Sequence, residues 1–108
     1  MSEVFELDQL QAQQVQAGRS YLEFVRVRAM SAGIYVLPVG GTDPQSPHSQ
    51  DEIYYVVSGA GKVRLGKVEQ RVEQGSVIFV EAGLEHRFFD IERQLVLLVA
   101  FAPAEEGQ

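Results

Sequence analysis

Two histidines are all the imidazole this chain possesses, and each stands beside groups with which it could do chemistry. His48 lies in PQSPHSQDEIYYVVSG, just upstream of Glu52, and Glu52 opens the run IYYVV, whose β-branched and aromatic residues predict a strand. In an extended segment alternate residues share a face. Over residues 46–56 that rule places Ser46, His48, Gln50, Glu52, Tyr54 and Val56 on one side. Asp51, Ile53, Tyr55 and Val57 point the other way. Burying a carboxylate beside Tyr54 and Val56 without a partner costs several kcal/mol or forces it to protonate. A cation removes that difficulty, and His48 is positioned to share it. The second histidine, His86, sits in GSVIFVEAGLEHRFF, where a strand ends in a Gly-containing turn and the next aromatic strand begins. A closed sheet brings His86 opposite His48 and Glu52. Two imidazoles and one carboxylate with open positions form the facial triad associated with non-heme Fe(II), and Zn, Ni, Co or Mn take similar ligands.

Positioning such a triad requires strands, and the pattern supplies them. From Tyr21 onward, YLEFVRVR, GIYVLPV, EIYYVV, GKVRL, VEQRV, SVIFV, HRFFD and QLVLLVAF read as strands. They are broken by SAG, GGTDPQSP, SGAG, LGK, EQG and EAGLE, which is turn chemistry. Close spacing with hairpin-length links predicts an all-β fold, an antiparallel jelly-roll β-barrel. Residues 1–18 form a short N-terminal helical arm: ELDQLQAQQVQA is rich in helix formers, with Asp8 available as a cap and Gly18 as a stop. Leu7, Leu10 and Gln14 share a thin face. The barrel occupies residues 21–102 of a single domain, 1–108. Gly40–Gly41 and SGAG are expected as turn glycines and not phosphate cradles, because neither opens a helix. Arg26 and Arg28 alternate with Val25 and Val27 and are expected to face solvent.

Composition narrows the function classes. Apolar residues make up 45% of the 108, enough for one core. A net charge of −6, with nine scattered basic residues, argues against a nucleic-acid partner. There is no cysteine, which excludes disulfides, thiolate catalysis and Cys-based zinc or iron–sulfur sites. No stretch approaches the roughly 18 apolar residues of a membrane span, and MSEVFELDQLQ has no apolar signal core, so no membrane partner and a cytoplasmic location are expected.

The spacing of these residues resembles the two motifs of the cupin superfamily. The first runs glycine, five residues, histidine, one residue, histidine, three or four residues, glutamate, six residues, glycine; this chain has Gly40, GTDPQ, Ser46, Pro47, His48, SQD, Glu52, IYYVVS, Gly59. The second runs glycine, five residues, proline, one residue, glycine, two residues, histidine, three residues, asparagine. Here it reads Gly75, SVIFV, Glu81, Ala82, Gly83, LE, His86, RFF, Asp90. Residues 60–74 separate the two. The resemblance implies a cupin barrel and the ligand set His48, Glu52 and His86 around one divalent transition-metal ion (Fe, Mn, Ni, Co or Zn). Ser46 stands where the family's first histidine sits, so a strong nitrogen donor is lost; Gln50, Gln45 or Ser46 itself is a possible additional ligand. Asp90 for asparagine and Glu81 for proline are expected to act on turn geometry. Tyr54 and Phe88 share parity with the ligands and either line a pocket or fill the barrel.

Two functions from different classes follow. One is a small-molecule enzyme with an open coordination site inside the barrel, its dioxygenase-like, isomerase or lyase chemistry undecided by sequence and no catalytic residue assigned. The other is a non-catalytic small-ligand binding or sensing module, favoured by the loss at Ser46. The resemblance also implies a homodimer, with the helix and the apolar QLVLLVAF as its expected interface.

Overall fold

The computed structural model describes residues 2–44 and 47–104. One helix, α1 (Leu7–Ala17), precedes six strands: β1 (Tyr21–Val27), β2 (Met30–Leu37), β3 (Asp51–Leu65), β4 (Val68–Glu73), β5 (Val77–Val80) and β6 (His86–Ala102). All strand pairings are antiparallel. The sheet order is β1-β2-β6-β3-β4, with β5 also paired to β3. This is the expected antiparallel barrel with one short helix.

Two pairs of expected strands are fused. EIYYVV and GKVRL run together as β3, and HRFFD and QLVLLVAF as β6. The SGAG segment is therefore not a hairpin turn. It is a bend inside β3, where the register against β6 shifts repeatedly between Val56 and Lys62. A bulged strand twists and changes direction without losing its partner. The first half of β3 pairs with β5 and the end of β6, and the second half pairs with β4 and the start of β6. The two halves face one core, which holds Tyr54, Val56 and Leu97 from one side and Val63, Val72 and Phe88 from the other. Gly59, at φ 98, carries the bend: a Cβ there would run into the Gln94 carbonyl and the Leu95 backbone. On β6 the matching bend contains Asp90, the one non-glycine residue among those described with positive φ, at 48. Short polar side chains such as Asp and Asn tolerate that region.

Burial on β3 alternates from Asp51 to Val56, with Glu52, Tyr54 and Val56 inside, as the period of the extended chain requires. β6 behaves differently. Leu95, Leu97, Val99 and Phe101 fill the barrel while Val96, on the opposite face, packs with Leu10, Ile34 and Val36 beneath α1. Most of its apolar surplus is thus used within the chain, in the barrel and beneath α1, while Leu98 stays exposed. Phe5 and Phe24, with ring centroids 4.9 Å apart, extend the same outer cluster. Leu10 is the buried residue of α1, and burying such a side chain contributes about 1.5–3 kcal/mol. Glu6 is the N-cap and makes no side-chain capping bond; Asp8 lies in the first turn, where it favours the helix dipole instead of capping. Gly18, at φ 69, ends the helix as expected. Arg26 faces solvent and forms a paired contact with Glu23, at 2.7 and 2.9 Å. Gly41 N–H closes a turn on the Pro38 carbonyl. No helix among the described residues is long and apolar enough to cross a membrane.

Candidate metal centre

Three segments meet at one end of the barrel. Glu52 is the second residue of β3, His86 is the first residue of β6, and His48 comes from the loop that leads into β3. Two backbone ties hold the loop against the turn that precedes His86. Gly83 N–H donates to the His48 carbonyl at 2.7 Å, and Ala82 N–H donates to Asp51 Oδ1 at 2.8 Å. Gly83 sits at φ 83, the left-handed region that lets this turn close. The glycine of the second motif thereby fixes the histidine of the first.

His48, Glu52 and His86 each present one ligand atom, and all of these lie within 4.8 Å of one another. Glu52 and His86 are each only 2% exposed. His86 Nδ1–H donates to the Leu84 carbonyl at 3.0 Å, and since a carbonyl only accepts, the hydrogen of the neutral ring is on Nδ1. The lone pair of Nε2 therefore faces the interior, where Glu52 Oε2 stands 3.3 Å away. Tyr54 O–H donates to the other carboxylate oxygen, Glu52 Oε1, at 2.7 Å. Burial pushes the His86 imidazolium down. The hydrogen bonds to Glu52 and Leu84, with the negative charges of Glu52 and Asp43, outweigh it and hold His86 above its ordinary value. The His48 ring lies 5.8 Å from the His86 ring and edge-on to Phe101 at 5.3 Å. Two neutral-capable imidazoles and a buried carboxylate are a donor set for a borderline divalent ion, with the backbone carbonyl behind His86 setting its orientation.

The other expected site residues divide. Tyr54 touches the cluster, whereas Phe88 lies under Tyr54 with ring centroids 5.0 Å apart and belongs to the barrel filling. Gln50 is buried on the expected face, its amide nitrogen donating to Ser49 Oγ at 2.9 Å. Gln45 and Ser46 lie outside the described residues.

Asp43 is the residue that sequence reasoning missed. It is 2% exposed, accepts from Tyr35 O–H at 2.6 Å through Oδ1 and from Phe88 N–H at 2.9 Å through Oδ2. It thus pins the His48 loop to β2 and to the strand that begins with His86. Burial, followed by the hydrogen bond and charge of Asp43, pushes the Tyr35 phenol far above its ordinary range. The local string GTDPQ reads as an ordinary turn, and nothing in it signals a buried carboxylate.

A strand-built barrel with this triad at its mouth defines a class. Residues 33–101 match the cupin domain family, and the chain belongs to the cupins. It is 46% identical over 101 residues to an uncharacterised protein of Streptomyces coelicolor, covering 94% of this chain and 96% of that protein. Among solved structures, it resembles TT1209 from Thermus thermophilus with a TM-score of 0.76 and 24% identity, over 95% of this chain and 99% of the other. It also resembles an RmlC-like cupin from Shewanella frigidimarina, with a TM-score of 0.72 and 21% identity, over 80% and 77% of the two chains. At those identities the structural likeness establishes the fold alone.

Proposed function

We propose that this cupin is a small metal-dependent enzyme in which His48, Glu52 and His86 hold one divalent ion (Fe, Mn, Ni, Co or Zn) and leave positions open for a small oxygenated or carbonyl substrate. The observation that carries the reading is the convergence of three ligand atoms within 4.8 Å around a carboxylate that is otherwise costly to bury. When bound, the ion supplies Lewis acidity or a site for dioxygen activation. The protein's own part is positional. Leu84 orients His86, Tyr54 orients Glu52, and the Gly83 and Ala82 amides seat the loop of His48. Glu52 anchors the ion or, on release from it, serves as base for a substrate proton.

Elemental analysis of freshly purified protein, with thermal unfolding in each metal, tests this. The expected result is close to one ion per chain and a raised Tm, since a ligand at about 100 times its Kd adds about 2.7 kcal/mol. His48→Ala and His86→Ala should each abolish the shift. Metal-free protein that no added ion stabilises would refute the metal reading.

A second reading, a non-catalytic sensing module, is favoured by Ser46 at the place of the family's first histidine. Ser46→His should raise metal retention by roughly 10- to 100-fold if the missing donor weakens the site. We also infer a homodimer, as the family resemblance implies. What supports it is an apolar outer face: Ile53 pairs with Phe79, and Tyr55 with both Val77 and Leu98, all exposed on adjacent strands β5, β3 and β6. A second copy of the same flat face is the partner that needs no charge complement. Sedimentation should give a dimer and Phe79→Glu a monomer; a wild-type monomer at micromolar concentration would refute it.

A further inference from the structure

Tyr54 stands closer to the metal-binding atoms than a supporting residue needs to. Its hydroxyl donates to Glu52 Oε1 at 2.7 Å and also lies 3.3 Å from His86 Nε2. The hydroxyl thus meets both the carboxylate and the imidazole nitrogen of the candidate site. The 3.3 Å between the phenol oxygen and Nε2 equals the separation of Nε2 from Glu52 Oε2. Two donors bonded to one ion at about 2.0–2.1 Å stand roughly 2.8–3.0 Å apart at octahedral angles and roughly 3.3–3.4 Å apart at tetrahedral ones. The phenol oxygen therefore has the spacing of a ligand. It is also held there: Tyr54 is 1% exposed, its ring packs edge-on against Phe88, and as residue i+2 of Glu52 on one strand it must share that carboxylate's face. The chain, meanwhile, carries a serine where the family's first histidine sits.

We propose that Tyr54, whose oxygen faces both Glu52 and His86 Nε2, is the fourth protein ligand of the metal centre and makes up for the donor absent at Ser46. This rests on the metal-binding reading above. Ligation of a trivalent ion releases the phenol proton to solvent, and the oxygen then donates as phenolate, as tyrosine does to haem iron.

The test uses iron alone as probe. Metal-stripped full-length protein is loaded with Fe(II) without air, oxidised with one equivalent of ferricyanide and desalted; iron per chain and the visible spectrum are then measured on the same sample. Bound stoichiometric iron with a phenolate-to-iron charge-transfer band in the visible is expected, and the band should vanish in Tyr54→Phe, which keeps the ring against Phe88. Two of the other three tyrosines provide controls, Tyr21→Phe and Tyr55→Phe, which should keep the band; Tyr35 is left intact because its hydroxyl holds the Asp43 carboxylate of the His48 loop. Stoichiometric iron without the band, or a band that survives in folded Tyr54→Phe or is lost in either control, overturns the proposal while leaving the metal centre standing. Failure to retain iron in any sample overturns the proposal, and the metal reading falls with it only if Mn, Ni, Co and Zn also leave the Tm unchanged.

Discussion

Replacing Asp43 with alanine probes whether a carboxylate outside the His48, Glu52 and His86 cluster nonetheless builds the site. Among the described residues two donors end on it, the Tyr35 hydroxyl at 2.6 Å and the Phe88 amide at 2.9 Å, and it is 2% exposed, so water cannot replace it without opening the loop. Each buried donor left without an acceptor costs about 1–3 kcal/mol. Relief of the desolvation of Asp43 itself returns part of that, since a buried charge is costly to hold. A net loss of about 2–4 kcal/mol follows, or a fall in Tm of roughly 10–20 °C for a domain of this size. Asp43→Asn should lose less, because the amide oxygen can take the Phe88 N–H while the Tyr35 oxygen accepts from the amide nitrogen. Thermal unfolding of metal-free protein measures the stability effect, and a metal titration of the same variants measures the second consequence. With the loop unpinned, His48 is no longer presented to Glu52 and His86, and metal affinity should fall even at temperatures where the variant is fully folded. An Asp43→Ala protein that melts within about 3 °C of wild type and binds metal as tightly would refute the reasoning, because the two hydrogen bonds would then carry neither stability nor position.

Three further outcomes are expected. His86 is raised above its ordinary value of 6.5 in the metal-free fold, so its contribution to stability is full below that pH and is lost as the pH rises through the elevated value. Urea midpoints of metal-stripped protein should accordingly decline across that window, and the decline should flatten in His86→Gln. Gly59→Ala forces a side chain at φ 98 into the Gln94 carbonyl, and backbone strain with overpacking should cost about 3 kcal/mol or more by chemical denaturation; a loss under about 1 kcal/mol would show that β3 can bend elsewhere. Asp90→Val, at φ 48, should destabilise by about 1–2 kcal/mol while Asp90→Asn stays close to wild type, again read by denaturant midpoints.

Much of this was legible before any coordinates. Alternation is a property of the extended backbone, so Glu52, Tyr54 and Val56 could be placed inside, and Ile53 and Tyr55 outside, from their positions alone. The three candidate ligands could be named because the chain resembles a family whose two motifs set their spacing. Misreadings arose where a local signal had a nonlocal cause. SGAG carries turn residues, yet the glycine answers to the backbone of β6 crossing at Gln94, and so a strand bends where a hairpin was expected. The apolar surplus of QLVLLVAF suggested a partner surface. Most of it packs in the barrel or beneath α1, and of its leucines and valines only Leu98 is left exposed.

By itself the sequence determined which residues from Glu52 to Val56 face inward, because alternation follows from the extended backbone, and its motif spacing brought two imidazoles and a carboxylate into one family pattern. Only the tertiary structure decided which side chains converge. The Tyr54 oxygen at His86 Nε2, the Asp43 carboxylate under the loop and the Gly83 amide on the His48 carbonyl all join segments distant in the chain. Such distances are set by the bends in β3 and β6 that close the barrel, and no local pattern carries them.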